Sequence, residues 1–459
     1  MKNNKYRLEK DSMGSMKVPM HALYGAQTQR AIENFPISNS TFFIEFINAI
    51  IIIKRSAAIV NHKLDLLDKE VCDAIVDACD KLLKNPSREH FPVDVFQTGS
   101  GTSTNMNVNE VISSLANIES NKEIHPNDHV NMGQSSNDTI PSAINISVAL
   151  IISQKLLPNI KSLIKSIKTK EKEFKSILKL GRTHLQDATP IGLSQEFSGY
   201  RELLIKSEKR LVSVHNTLKR LPQGGTAVGT GINTHKNFGK LVAEEISKYT
   251  KLNFIETPNH FEAQSAQDCS VEVAGILKGL AVSLSKIAND VRWLASGPRS
   301  GLGEINIPAV QPGSSIMPGK VNPVICESIL QVSAQVIGND LAITIGALGS
   351  VLELNLMLPL IAHNLLYSIF ILSNSIEVFD NKLIQGLSAN KIKCENYIEG
   401  SLAMCTSLAP IIGYDEAAEI AYESFKTGRT IREVVEEKNI IDKKILNKVL
   451  DPNNMINPQ

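Results

Sequence analysis

Residues 261–296 read FEAQSAQDCSVEVAGILKGLAVSLSKIANDVRWLAS. Val273, Ala274, Ile276, Leu277, Leu280, Ala281, Leu284, Ile287, Ala288, Val291 and Leu294 recur in this stretch at steps of three and four. Such steps place them on one face of an α-helix, broadened by small residues at its flanks. At 1.5 Å per residue, a helix of roughly 35 residues would be about 50 Å long. Residues 137–180, 193–221 and 324–348 carry similar periodicity. Pro158 should bend or split the first of these, because it lacks an N–H and its ring crowds the preceding turn. Helices of this length exceed the three or four turns usual in a globular core, so the spacing points to a long helical bundle shared between subunits. The Lys-rich residues 161–175 read as the solvated face of one such helix.

Outward from these segments the texture changes. Residues 47–83 read as one or two amphipathic helices, flanked by loops at 97–109 and 124–138 that are rich in Ser, Thr, Asn and Gly. Those side chains bond readily to nearby backbone and favour turns and caps. After residue 390 the pattern becomes that of compact helices separated by Gly turns. The expected division is an N-terminal mixed domain over 1–137, a central long-helix domain over 138–390 and a small helical domain over 391–459.

Composition narrows the class. Of 459 residues, 42 % are hydrophobic and 21 % charged, which excludes neither core nor surface and argues against disorder. Forty-eight basic and 47 acidic side chains nearly cancel. They leave no basic field to neutralise a phosphate backbone, so no nucleic-acid partner is expected. The most apolar run, 42–53, contains Glu45 and Asn48 and is too short and polar to span a bilayer, so no membrane is expected either. Residues 1–10 hold no apolar stretch of the kind a secretory leader needs, and the cytoplasm is the expected compartment. The six cysteines, Cys72, Cys79, Cys269, Cys326, Cys394 and Cys405, form no C-x-x-C pair and have no histidine at ligand spacing. No metal or cofactor is expected from them, and a reducing compartment suits them.

Three polar segments stand out against the helical background: 98–105 (TGSGTSTN), 181–190 (GRTHLQDATP) with 134–138 (QSSND), and 313–323 (GSSIMPGKVNP). In the last, Gly313 and Gly319 permit unusual backbone while Pro318 and Pro323 stiffen it. Pro323 can open the following helix, whose free N–H groups would welcome an anion. Taken alone, the segment is as simply read as a surface loop with a capping serine. Residues 98–105 suit either an anion cradle or a plain Gly-rich turn. Residues 134–138 suit a helix N-cap. His184 lies in a polar setting, with Arg182 and Asp187 near enough in sequence to orient it or tune its pKa.

Together these segments identify the chain as resembling the fumarase/aspartase superfamily, whose members eliminate a group from a succinyl unit to release fumarate. The order of residues at 313–323 is highly specific, and the resemblance runs from 9–14 and 24–30 to 413–421 and 451–455. Within the superfamily it is similar to the class II fumarases: aspartases typically carry Gln where His184 stands and Ala where Gly319 stands. Residues 224–231 and 289–297 also look like that class. The resemblance implies a mainly α, three-domain subunit and a homotetramer with a 20-helix core, each active site built from loops of three subunits. It implies reversible hydration of fumarate to malate, a step of the tricarboxylic acid cycle, with no cofactor and with small dicarboxylates as the binding partners.

By the same resemblance, Ser314 is the base that takes the C3 proton, His184 carries the proton on the hydroxyl side through a water, and Glu327 pairs with His184. Lys320 and Asn322 grip the carboxylate that becomes the aci-acid. Ser100, Gly101, Thr102, Ser135, Ser136, Asn137, Thr183 and Ser315 hold or line the substrate. His125, Pro126, Asn127 and Asp128 resemble a second dicarboxylate site outside the catalytic pocket, although Lys122 stands where many members have Arg. Leu358, before Pro359, occupies a position that is often basic in the class. The alternatives are an aspartate ammonia-lyase and an inactive, interaction-only homologue.

Overall fold

A computed structural model describes residues 6–120 and 123–458; Lys122 and the first five residues lie outside them. The fold is mainly α, with five two-stranded ribbons among the described residues. The long helices are Ser136–Ile151 with its continuation Leu157–Glu173, Leu193–Val214, Asp268–Leu294, Val324–Ala347 and Leu358–Phe379.

Pro158 neither breaks nor ends its helix. A π-helical turn, Ile152–Leu156, stands immediately before it. A wider turn shifts the hydrogen-bond register, so the missing N–H and the bulk of the ring are absorbed without a break. This helix stops at Glu173, short of residue 180, because Leu178–Thr183 pairs as a strand with Gln186–Gly192.

The 261–296 segment differs from the single helix its periodicity suggests. His260–Ser265 forms a short helix, Ala266 turns to extended backbone, and Asp268–Leu294 begins anew. The 27 residues of the second helix make it about 40 Å long. Another correction falls at 97–109: only 97–101 is loop, and Thr102–Ser120 is helical. Its Asn105, Asn107 and Asn109 are buried, and their side chains bond to distant partners instead of to local turns. Residues 47–83 resolve into two helices, Ile44–Lys63 and Lys69–Lys84.

The chain divides into two compact units, each assembled from three stretches. The first comprises residues up to 158, 209–279 and 334–373. Its centre is Ile44–Lys63, packed against Lys69–Lys84, Ser136–Ile151 and Phe238–Thr250. Phe46, Ile50, Ile53, Ala57 and Val60 of that helix are fully buried. Removing a large aliphatic side chain from water contributes roughly 1.5–3 kcal/mol, which is what drives this apolar run inward.

The second unit comprises 159–208, 280–333 and 374–458. Within it the hairpin Leu178–Thr183/Gln186–Gly192 packs against Lys391–Glu399. Beyond it, Ile398, Met404, Leu408, Ile420, Val434 and Leu446 gather the last helices round a small core of their own. Gly413 and Gly428, at φ 90° and 72°, make the turns between those helices.

Among the described residues two helices, Ser136–Glu173 and Leu358–Ile384, are long and apolar enough to cross a membrane, in place of the 42–53 run. Most of each is buried inside the protein, as core helices are.

Candidate active site

In the first unit, the turn at 98–101 feeds the helix Thr102–Ser120. Gly101 sits at φ 74°, where an added Cβ would press on Ile140. Ser100 Oγ and Thr102 Oγ1 are 2.7 Å apart, and Thr102 Oγ1 is 2.7 Å from Ser136 Oγ. Three hydroxyls carry three protons and the chain uses two. One is left to donate outward, from Ser100 or from Ser136 according to the direction in which the chain runs; at the Ser136 end it meets Asn137 Oδ1 at 3.5 Å.

Ser136 opens the helix Ser136–Ile151, with Ser135 as its N-cap. The Ser135 hydroxyl accepts the N–H of Asn137 at 3.2 Å, and Asp138 accepts the N–H of Ser135 at 2.9 Å. The cap expected at 134–138 is therefore present. Asp138 also accepts the N–H groups of Gly224 and Thr226 and the Gln223 amide at 2.9–3.2 Å. It is fully buried, and burial pushes its carboxyl upward against those hydrogen bonds and the nearby Lys54. Asn137 Nδ2 donates to Ala227 O at 2.8 Å, so the 224–231 loop is tied to the same donors.

Leu358 is fully buried and its N–H donates to Gly99 O at 3.1 Å, next to Ser100. Core packing holds this side chain, and the backbone bond to the polar turn does not depend on it.

In the second unit, Thr183 pairs with Gln186, leaving His184 and Leu185 as a two-residue turn. Both have positive φ, 57° and 60°. Turns of this hand usually hold Asn or Gly, since an L side chain in the left-handed region costs roughly 1–2 kcal/mol. The turn presents an exposed imidazole at the tip of the hairpin. Arg182, just before it, binds both carboxylate oxygens of buried Glu304 at 2.9 Å, and Lys179 lies 3.5 Å from the same group.

The 313–323 loop is closed at its neck. The N–H of Gly313 donates to Lys320 O at 2.8 Å and Asn322 Nδ2 donates to Gly313 O at 2.6 Å. Gly313 has no room for a side chain, since a Cβ would stand 2.4 Å from Lys320 O. Inside the loop, Ser314 Oγ accepts the backbone N–H groups of Ile316 and Met317 at 3.3 and 3.1 Å. Ser315 and Lys320 are exposed, and the Lys320 ammonium has no partner among the described residues. A recess of about 440 Å³ is lined by Arg292, Ser296, Asn306, Lys320, Asn322 and Pro323. Glu327 lies in the first turn of Val324–Ala347, and no hydrogen bond or ion pair joins it to His184 within the chain.

His125–Asp128 begins a π-helical turn, Pro126–Val130. His125 Nδ1 accepts the N–H groups of Asn127 and Asp128 at 3.3 and 3.2 Å. That use makes Nδ1 an acceptor, so its 3.2 Å approach to Asp128 Oδ2 is not an ion pair.

Two groups escaped the sequence reading. Arg292 adds a cation to the Lys320 recess, and its place in the long 268–294 helix gave no sign of that. Lys54 lies under the 131–137 segment and was legible as a lone lysine inside the apolar run 46–60.

Residues 14–338 match a family described as lyase, and residues 404–457 match one described as the fumarase C C-terminus. The chain belongs to the class II fumarase family of these lyases. It is 47 % identical over 460 residues to the class II fumarate hydratase of Helicobacter pylori strain J99, covering 99 % of both chains. It is 47 % identical over 459 residues to that of Bacillus anthracis, again with 99 % of both covered. The structure of a class II fumarase from Schistosoma mansoni superposes with a TM-score of 0.95 at 38 % identity, covering 98 % of this chain and 99 % of that one. A fumarate lyase:delta crystallin from Brucella melitensis, bound to cobalt, gives 0.94 at 43 % identity, covering 99 % and 100 %.

Proposed function

We infer that this chain is a fumarate hydratase that adds water reversibly to fumarate to give (S)-malate. The observation that carries the mechanism is the pair of backbone N–H groups on Ser314 Oγ. A serine hydroxyl is a poor base unless its anion is stabilised, and two fixed donors supply that without reorganisation.

In the dehydration direction Ser314 acts as its alkoxide: the C3–H bond of malate breaks and its proton passes to Ser314 Oγ, which becomes a hydroxyl. The electron pair moves into the adjacent carboxylate as an aci-carboxylate, held by Lys320 and Asn322. The C2–O bond then breaks, and the departing hydroxyl receives a proton that protonated His184 delivers through a water, leaving fumarate, water and a neutral imidazole. Ser100, Thr102, Ser135, Ser136, Asn137 and Thr183 supply donors to the dicarboxylate, with Gly101 and Ser315 lining the site. Base, acid and oxyanion donors are all side chains, so this scheme draws on no cofactor. Glu327 orients His184, and we place it on another subunit.

With it we propose a homotetramer with sites shared by three subunits. It is supported by Ile337, Leu341, Ile345 and Leu348, which form an apolar stripe 44–79 % exposed on one helix and its C-terminal end. A stripe of that size belongs under a partner. The cytoplasm is the compartment we assign, with His125–Asp128 as a second, non-catalytic dicarboxylate site.

The test is purified protein offered malate or aspartate, with fumarate followed by its ultraviolet absorbance. Fumarate from malate supports the reading. Fumarate from aspartate alone would make the chain an ammonia-lyase, and no turnover from well-folded protein would leave only an interaction role.

A further inference from the structure

Lys54 stands in the middle of the helix Ile44–Lys63, with no exposure to solvent. Its ammonium donates to Asn131 Oδ1 at 2.8 Å and Gln134 Oε1 at 3.0 Å. Asn131 Oδ1 also accepts Asn105 Nδ2 and Asn109 Nδ2 at 3.2 Å each. Asn131 Nδ2 closes back on Gln134 O at 3.0 Å, and Gln134 Nε2 donates to Val130 O and Met132 O. Residues 130–134 are thus wrapped round one buried charge. The next residue is Ser135, the cap of the helix that carries Ser136 and Asn137.

Burying a cation without a contact carboxylate is expensive, and a methionine of similar length would fill the same space. What the ammonium adds is strength and direction in its hydrogen bonds to two amide oxygens. We propose that Lys54 is a positioning residue for the dicarboxylate, holding residues 131–134 so that the Ser135, Ser136 and Asn137 donors stand in register. This rests on the fumarate hydratase reading of the site.

The charged or titratable groups acting on Lys54 are Asp138, from Ser136–Ile151, and Cys79, from Lys69–Lys84. Burial pushes the Cys79 thiol well up, so it stays neutral. Burial likewise brings the Lys54 ammonium down to about 7, with Asp138 opposing. As pH rises through that value the ammonium becomes an amine, its bonds weaken and the donors loosen. Substrate affinity should therefore fall on the alkaline side.

The experiment measures kcat and KM for malate from pH 6 to 9 in wild type, Lys54→Met and Asn131→Asp, with circular dichroism and melting as checks on folding. In wild type, KM should rise above pH 7. Folded Lys54→Met should show a KM raised about tenfold at pH 6.5, the scale of one lost charge-assisted hydrogen bond, with kcat changed far less and the alkaline rise gone. Asn131→Asp sets a carboxylate against the ammonium and should move the rise to higher pH. If Lys54→Met does not fold, Asn131→Asp decides alone. A KM rise that Asn131→Asp leaves in place, or a folded Lys54→Met with wild-type KM, overturns the proposal. Absence of any wild-type turnover with malate would instead overturn the functional reading.

Discussion

Arg182 Nη1 stands 2.9 Å from both carboxylate oxygens of Glu304, a residue with no solvent exposure, and Arg182 is two residues from His184 in the hairpin turn. The ion pair therefore anchors the strand that aims the imidazole. Lys179 adds a second cation 3.5 Å from the same carboxylate. Removing Glu304 leaves the Arg182 guanidinium without its carboxylate, while Lys179 keeps Glu196 at 3.6 Å; breaking a buried pair in this way typically costs about 3–5 kcal/mol. Glu304→Ala should lower stability by about that amount, read by urea denaturation. Loss below about 1 kcal/mol would show that the network is no anchor.

The turn itself can be probed at Leu185. Asn tolerates the left-handed region, whereas a β-branched side chain is strained there. Leu185→Asn should melt at or above the wild-type temperature, and Leu185→Val should be less stable than Leu185→Asn by at least about 1 kcal/mol. Equal melting of the two variants would mean that the turn does not hold its φ values in solution.

Ser314 is the proposed base. Ser314→Ala removes one hydroxyl from a loop whose neck is closed by Gly313, Lys320 and Asn322, so folding and assembly should persist. Loss of a general base costs at least roughly a hundredfold in rate, and malate turnover should fall by that or more. Turnover within about tenfold of wild type would remove Ser314 from the role.

Gly99 is pressed against backbone. A Cβ there would stand 2.0 Å from the carbonyl oxygen of Leu356, which has no flexible side chain to yield. Gly99→Ala must displace the turn that presents Ser100 and Thr102, with overpacking of about 1–3 kcal/mol. The expected result is lower melting together with a raised KM for malate. Unchanged kinetics would show that the turn moves without disturbing the hydroxyl chain.

The long helices were legible because their apolar residues repeat at steps of three and four, whatever covers them. Their interruptions were not. Nothing at Ala266 or Gln267 forbids helix, so the break there carries no local sequence signal. The π-helical turn before Pro158 shows the opposite case, a clear local signal softened by a backbone adjustment. The Asn-rich 102–109 segment misled because those side chains, which normally favour turns, are used here across long distances. At the candidate site, the Ser135 cap and the punctuation of 313–323 could be read directly. The strain at His184–Leu185 could not, since neither residue type announces a left-handed turn. Lys54 was visible only as an exception to its apolar surroundings.

Each compact unit is built from three separated stretches, and the division points fall within long helices. During synthesis the first unit lacks part of its own core until residue 373 has emerged, by which time four-fifths of the chain exists. Its N-terminal helices must wait, partly uncovered, for strands of sequence more than two hundred residues away. Late closure of this kind slows folding and lengthens exposure to aggregation. It also means that neither unit can be lifted out of the gene as a continuous fragment.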